Sequence, residues 1–147
     1  MIKPDAVACH YTGQIITLIE KAGFRIIAQK MLRLTTSDTN KFYAVHSQRP
    51  FFRNLSLFMT SGPVVVMVLE KENAIAEFRT LIGNTDPQTA PIGSIRKTFG
   101  QSKTRNAIHG SDSDENALKE IHFFFSEYGH EIEMYTIEQG EKRDKRQ

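Results

Sequence analysis

Cysteine is nearly absent from this 147-residue chain, and tryptophan is absent altogether. The single cysteine, Cys9, cannot form an internal disulfide, which excludes a disulfide-stapled fold. No apolar run exceeds the six residues from Val64 to Leu69, whereas a membrane-spanning helix needs ~20. The first residues also lack the apolar stretch of a signal peptide. These absences predict a soluble, cytoplasmic protein with no membrane partner.

The composition is that of one globular domain. Hydrophobic residues make up 39% of the chain and charged residues 24%, and there are ten phenylalanines. A chain of this length buries roughly two-thirds of its unfolded surface, which is enough for a proper core. Repeats, low-complexity tracts and linkers are absent from the sequence. We therefore expect one domain over residues 1–138, followed by a short tail at 139–147.

Charge is distributed unevenly along the chain. Four of the 19 basic residues and two of the 17 acidic residues lie in 139–147, so 1–138 carries 15 of each. This basic tail could contact nucleic acid, but the favoured interpretation is a disordered end or an interface segment. Residues 96–105 contain four basic side chains and no acid, so this stretch could hold an anion.

Hydrophobic periodicity and turn residues predict an α+β fold. Helices are expected at about 13–22, from Ser37 or Asp38 to before Arg49, and at 51–59, 74–82, 94–99 and 114–125. Strands are expected near the start of the chain and at 24–34, 64–69 and 131–137. The continuous run at 64–69 is typical of a strand buried on both faces. This order favours a small, mostly antiparallel sheet covered by helices.

His109 is the histidine whose surroundings favour chemistry. It follows the cationic stretch and could act as a base, a metal ligand or a nucleophile, because a neutral imidazole has a free lone pair. Gly110 allows close backbone approach, and Ser111 and Glu120 are candidates to fix the ring, which favours the nucleophile. The other four histidines are interpreted as structural or surface residues, and none of the five has metal-ligand spacing.

Phosphate binding here would not use a glycine loop, because neither the P-loop nor the dinucleotide-binding motif occurs. Lys3, Arg79, Thr85 and Arg96 could supply side-chain donors instead, and a guanidinium fork suits phosphate oxygens. Phe51 and Phe52 could offer a stacking surface for a nucleobase. Each residue taken alone is more often a surface charge or a core aromatic.

Six segments together resemble the motifs of the nucleoside diphosphate kinase family. They occur in the family's order over about residues 1–127, and the octet ending in His-Gly-Ser-Asp-Ser is the most specific of them. The segments are Ile2 to Val7, Arg49 to Phe52, Ser61 to Val64, Asn84 to Pro87, Gly93 to Arg96 and Asn106 to Ser113.

The resemblance implies a ferredoxin-like sheet of four antiparallel strands covered by helices on one face. It also implies ping-pong transfer of a terminal phosphoryl group from a nucleoside triphosphate to a nucleoside diphosphate, with broad base tolerance. His109 would become phosphohistidine, Glu120 and Ser111 would orient it, and Lys3 would be catalytic. The residues that would bind nucleotide are Lys3, Tyr43, Phe51, Arg79, Thr85, Arg96 and Asn106.

Mg²⁺ is the expected cofactor, carried by the nucleotide phosphates rather than by a protein metal site. The expected assembly is a homo-oligomer, either a hexamer or a tetramer. The chain departs from the family pattern at Thr98, where an aspartate is common, so Arg96 is either freed or deprived of a packing bridge. The alternatives are a non-enzymatic nucleotide-binding module, a nucleic-acid-binding regulator that uses the tail, and a protein kinase acting through phosphohistidine.

Overall fold

The computed structural model describes residues 1–126 as short helices arranged around two antiparallel strands. The strands are β1 (Arg25–Arg33) and β2 (Pro63–Glu70). The helices are α1 (Pro4–Ala8), α2 (Thr12–Lys21), α3 (Thr36–Phe42), α4 (Phe52–Met59), α5 (Ala74–Ile82), α6 (Ile95–Phe99) and α7 (Asp114–Phe124), with a 3₁₀ turn at Ala44–His46. The predicted bounds of α4 to α7 agree with these to within one residue.

The sheet has two strands among the described residues rather than the four that were expected. β1 pairs antiparallel with β2, and Ile2 forms isolated bridges with Val65 on one side and Ile108 on the other. The ladder at Ile2 cannot lengthen, because Pro4 lacks an N–H group and begins α1. Near Ile108 it is interrupted at Ala107, where φ is +74°. The α+β class is confirmed, but the strand predicted near the start of the chain is reduced to single bridges at Ile2.

Core side chains cover both faces of β2, as the continuous apolar run predicted. Val65 belongs to a cluster with Ile15, Ile19 and Ile82, whereas Val64 and its alternate neighbours belong to a second cluster that includes α4 and α7 side chains. Helices therefore pack against both faces of β2, whereas the resemblance implied one face only. Successive strand side chains point to opposite faces, so β2 fills both clusters.

Two helix starts differ from the prediction, and side-chain capping explains the first of them. α3 begins after Thr35, whose hydroxyl accepts a hydrogen bond from the Asp38 amide, while the Asp38 carboxylate accepts one from the Thr35 amide. This capping box starts the helix earlier than the predicted caps Ser37 and Asp38 would. α2 was expected from about residue 13 but begins at Thr12, and its N-cap residue Tyr11 makes no side-chain capping hydrogen bond.

The strand predicted at 131–137 and the tail at 139–147 lie outside the described residues. Within residues 1–126, no helix has the length and apolar content required to cross a membrane.

Candidate active site

His109 lies at the end of the segment that bridges to Ile2, where backbone pairing fixes its position. Its amide N–H donates to the carbonyl of Met1 at 2.8 Å. The imidazole packs edge-on against Phe42, with the ring centroids 5.4 Å apart and the ring planes at 73°. Its side chain is 27% exposed. The ring is therefore held from two sides yet remains accessible.

Glu120 joins His109 to Ser111 through the two oxygens of its carboxylate. Imidazole Nε2 contacts Glu120 Oε1, and the Ser111 hydroxyl donates to Glu120 Oε2. Helix α7 positions the carboxylate two turns from its own start, where the Ser113 hydroxyl accepts from the Asn116 amide as an N-cap. A neutral imidazole that donates from Nε2 keeps its lone pair on Nδ1, so Nδ1 is the free nucleophilic atom.

Burial sets the protonation states of this pair. Burial lowers the pKa of His109 below its ordinary value, although the hydrogen bond to Glu120 acts in the opposite direction. Burial acts to raise the pKa of Glu120, but hydrogen bonds from His109 and Ser111 outweigh it and hold that pKa below its usual value. At neutral pH the ring is thus neutral and the carboxylate is ionised.

The Lys3 ammonium is buried beside this pair and is held by the side-chain amide of Asn106. Its Nζ donates to Asn106 Oδ1 at 2.7 Å, and the Asn106 Nδ2 donates to the carbonyls of Thr85 and Lys103 at 3.1 and 3.0 Å. Burial and the nearby charge of Arg96 lower the pKa of Lys3 to about 8. Lys3 is therefore cationic at neutral pH but loses its proton more readily than a surface lysine.

The Arg96 guanidinium braces the backbone just before His109. It donates to the Ile108 carbonyl from Nη2 at 2.9 Å and from Nε at 3.3 Å, and to the Gly83 carbonyl from Nη1 at 3.0 Å. Burial and the charge of Arg79 lower its pKa to about 10, so it remains charged at neutral pH. Thr98 donates to the Ser94 carbonyl instead of bonding Arg96. The absence of an acid at Thr98 has therefore not left Arg96 free.

The remaining predicted residues form a looser group. Tyr43 is buried, and its hydroxyl has no hydrogen-bond partner among the described residues. Burial and the charge of Glu120 raise the pKa of this hydroxyl, which keeps it a donor. Phe51 is 50% exposed at the start of α4, next to the His46 ring. Arg79 and Thr85 are exposed. Thr85 accepts a hydrogen bond from the Asn106 side chain through its backbone carbonyl rather than through its hydroxyl.

A cavity of about 120 Å³ also opens on His109, Ser111 and Glu120, but its walls are mostly apolar. The side chains of Phe24, Phe78 and neighbouring residues line it, and none of the predicted phosphate-binding cations does. An apolar wall does not suit a phosphate chain. The predicted phosphate-binding cations thus lie outside the lining of this cavity.

Two residues at the site were not assigned a role from sequence. Phe42, which packs against the His109 ring, is one apolar residue among many in the sequence and gives no signal. Asp5 lies within the quoted Lys-Pro-Asp segment, and its carboxylate accepts from the buried amide of Ala107 at 3.0 Å. Its position in that segment is the sequence signal from which a role for Asp5 could have been predicted.

The described residues contain no group of three or more histidine, cysteine, aspartate or glutamate side chains that could hold a metal ion. Both carboxylate oxygens of Glu120 are engaged by His109 and Ser111. The donor set thus fits a cation that brings its own phosphate ligands, rather than one caged by protein carboxylates.

The α+β fold thus holds a histidine that contacts a carboxylate beside the buried ammonium of Lys3 and the guanidinium of Arg96. The family model described as nucleoside diphosphate kinase matches residues 1–129. A nucleoside diphosphate kinase of Prosthecochloris aestuarii is 57% identical over 126 residues, which cover 86% of this chain and 89% of that protein. The Aquifex aeolicus nucleoside diphosphate kinase structure superposes with a TM-score of 0.81 at 48% identity, covering 84% of this chain and 90% of that one.

A halophilic nucleoside diphosphate kinase from Halobacterium salinarum, solved in complex with CDP, has a TM-score of 0.81 and 39% identity over 84% of this chain and 83% of its own. The chain therefore belongs to the nucleoside diphosphate kinase family. It is a nucleotide-binding transferase, as the sequence motifs predicted.

Proposed function

We propose that this chain transfers the terminal phosphoryl group of a nucleoside triphosphate to a nucleoside diphosphate in two steps through phosphohistidine at His109. The observation that carries the proposal is the contact between His109 Nε2 and Glu120, because it leaves Nδ1 with the lone pair. Two sequential transfers let one site serve donor and acceptor in turn.

In the first step the Nδ1 lone pair attacks the γ-phosphorus, and the bond from that phosphorus to the β–γ bridging oxygen breaks. The nucleoside diphosphate leaves with the electron pair of the broken bond. In the second step a β-phosphate oxygen of another nucleoside diphosphate attacks the phosphohistidine, and the P–N bond breaks. His109 regains its lone pair, so the enzyme returns to its starting state with no net proton change at the ring.

Negative charge spreads over the phosphoryl oxygens during each transfer, so positioned cations do most of the catalysis. Lys3 supplies buried positive charge and Arg96 partly buried positive charge beside the histidine segment. A guanidinium has five N–H donors, and three of those on Arg96 are used on carbonyls, which leaves two for phosphate oxygens. The unpartnered Tyr43 hydroxyl and exposed Arg79 are proposed as further phosphate contacts.

Nucleotide selection is proposed to depend on stacking rather than on reading base edges. Phe51 is half exposed, and stacking on a ring accepts any base because every base has a flat π face. Asn106 is proposed to contact the sugar, although its amide already bonds Lys3 and two carbonyls. Thr85 is proposed to line the same pocket. Broad base tolerance follows from this arrangement.

Mg²⁺ is proposed to enter with the nucleotide, where it would neutralise charge on neighbouring phosphate oxygens. The engaged carboxylate of Glu120 supports this route. Lys3 and Arg96 then hold the phosphate chain and orient it toward Nδ1.

Incubation with a γ-labelled nucleoside triphosphate tests the proposal. Label should become attached to His109, resist alkali and be lost in acid, as expected for a P–N bond. Each unlabelled nucleoside diphosphate, with adenine, guanine, cytosine or uracil as its base, should discharge the labelled enzyme at a similar rate. Label that stays on the triphosphate contradicts the mechanism. Label that moves to the diphosphate of only one base contradicts the base tolerance.

The pH dependence of kcat/KM follows from the protonation states of two groups. His109 acts as the neutral ring, and its lowered pKa keeps it neutral below pH 6.5, so activity should persist into mildly acidic solution. Lys3 acts as the cation, so activity should fall as pH rises through about 8. In Lys3→Arg the alkaline fall should disappear, because a guanidinium stays charged. An alkaline fall that is unchanged in Lys3→Arg would show that another group titrates there.

Replacing Glu120 with alanine should lower kcat about 10²-fold, because the carboxylate orients His109 without reacting. The KM for nucleotides should change little. Glu115→Ala on the same helix is the matched control, since that carboxylate is exposed and pairs with Lys119. Steady-state kinetics measure both variants. Equal kcat values for the two would contradict the orienting role of Glu120.

We further propose a homo-oligomer, a hexamer or tetramer, in the cytoplasm. The exposure of large apolar side chains such as Ile92, which is 94% exposed, supports subunit contacts. Sedimentation velocity tests the assembly, and a monomer at micromolar concentration would contradict it.

A further inference from the structure

Ala107 has a backbone conformation that alanine rarely adopts, two residues before His109. Its φ is +74°, in the left-handed region, and it is fully buried. A side chain with a Cβ is strained there, so surrounding contacts must hold the conformation. The segment carries two functional groups, because Asn106 grips the Lys3 ammonium on one side of Ala107 and His109 follows on the other.

Two groups at the start of α1 form hydrogen bonds with the backbone amide and the backbone carbonyl of Ala107. The Ala107 amide donates to Asp5 Oδ2 at 3.0 Å, and the Ala107 carbonyl accepts from the Lys3 amide at 2.9 Å. Asp5 is 102 residues away in sequence, so this contact ties the two ends of the described chain together. An unpaired amide at this buried position would be costly, so the carboxylate favours the left-handed turn.

The Asp5 carboxylate is itself buried, with 6% of its surface exposed, and its Oδ1 has no hydrogen-bond partner among the described residues. Burying a carboxylate costs free energy, and hydrogen bonds offset that cost only in part when one of its two oxygens accepts none. Its remaining compensation is the positive charge of Lys3, which its own charge favours in return. The free-energy cost of burying the Asp5 carboxylate is thus offset by a charge at the site rather than by contacts in the core.

We propose that Asp5 is a positioning residue of the phosphoryl-transfer site, which holds the Ala107 turn so that Asn106 and His109 point correctly. The inference rests on the proposed function, because it explains how that site is held. Asp5 touches no reacting atom. It acts through the backbone of Ala107, and its negative charge also favours the cationic form of Lys3.

The charge balance around Lys3 fixes the sign of the expected pH effect. Its ammonium donates to Asn106 Oδ1 and to the Thr104 carbonyl, and the charges of Arg96 on α6 and Asp5 on α1 act on it. It acts in turn on the amino group of Met1 and on His109. Arg96 favours proton loss from Lys3, whereas Asp5 opposes it. Removing the Asp5 charge therefore moves the alkaline limb of activity to lower pH, because Lys3 then deprotonates earlier.

Asp5→Asn and Asp5→Ala separate the two roles. The side-chain carbonyl oxygen retained in Asp5→Asn would still accept from Ala107, so kcat at pH 6.5 should stay within about threefold of wild type, while the alkaline limb moves down by about half a pH unit or more. Alanine also removes the acceptor, so kcat should fall about 10²-fold with KM within about threefold. Introducing Ala107→Gly into Asp5→Ala should restore kcat about tenfold, because glycine adopts positive φ without strain.

Ile19→Val is the control for general loss of stability, since Ile19 is fully buried in the core cluster that contains Ala107 but makes none of the hydrogen bonds of the site. It should melt earlier with wild-type kcat and pH profile. Folded Asp5 variants with wild-type kcat and an unmoved alkaline limb overturn the inference. If Asp5→Ala does not fold, the double variant Asp5→Ala, Ala107→Gly decides. A double variant that is also unfolded overturns the inference, because removing the strain at Ala107 then replaces nothing that Asp5 supplied.

The labelling experiment separates this inference from the proposed function. Failure of the wild-type chain to form phosphohistidine overturns both. A wild-type chain that forms it, with unaffected Asp5 variants, overturns the positioning role of Asp5 only.

Discussion

Replacing His109 with alanine should abolish phosphoryl transfer, with kcat lowered by at least about 10⁴-fold. The loss is large because, in the proposed mechanism, this side chain forms the bond to phosphorus. Ser111 carries a neighbouring hydroxyl, but it donates to Glu120, whose lowered pKa makes that carboxylate a weak general base. The acid-labile label on the enzyme should disappear together with the activity. Coupled kinetics and acid and alkali treatment of labelled enzyme measure the two effects.

The fold should survive this substitution, because the side chain is partly exposed and its main packing partner is Phe42. His122→Ala is the matched control, since that histidine is exposed on α7 and should leave transfer and labelling intact. Circular dichroism and melting temperature check the fold of both variants. A folded His109→Ala enzyme that still turns over, or that still acquires label, refutes the phosphohistidine mechanism.

Replacing Lys3 with glutamine should lower kcat about 10²- to 10³-fold, the second largest effect. Glutamine keeps a donor near Asn106 but carries no charge, and a buried cation aimed at developing negative charge is worth this much when water is excluded. The KM should change less than kcat, because the charge in question develops during transfer. Presteady-state labelling measures the first half-reaction directly.

Lys21→Gln is the control for Lys3→Gln, because Lys21 is exposed at the end of α2. It should leave both half-reactions unchanged. If Lys3→Gln forms phosphohistidine at the wild-type rate while remaining folded, the ammonium of Lys3 is structural and the catalytic charge must come from Arg96 and Arg79.

Local sequence signals predicted most of the helical fold. α5 was predicted residue for residue, because apolar spacing and Gly83 mark both its periodicity and its end. The start of α3 was missed, since the capping box of Thr35 and Asp38 involves two mutual hydrogen bonds that composition alone does not reveal. Four strands were expected, and the described residues contain two. Ile2 and Ile108 have strand-forming side chains, but Pro4 and the turn at Ala107 restrict the pairing to single bridges.

The candidate site was predicted as a set of residues, but its connections were not. The histidine octet and the Lys-Pro-Asp segment identify which side chains matter. Their mutual arrangement depends on contacts between residues more than 100 positions apart, such as those of Lys3 with Asn106 and of Asp5 with Ala107. Sequence patterns relate residues within one or two helical turns of each other. They could not predict that the Arg96 guanidinium donates to the carbonyls of Gly83 and Ile108.

The amino-acid sequence by itself determined the α+β class, the positions of most helices and which histidine is proposed to bear the chemistry. These properties follow from local periodicity and from short motifs, which are written in neighbouring residues. Only the tertiary structure decided that Nδ1 is the free ring nitrogen and that Lys3 is buried and readily deprotonated. It also decided that the Asp5 carboxylate bonds the strained turn before His109. These properties depend on distance and desolvation between chain segments, which the order of residues does not contain.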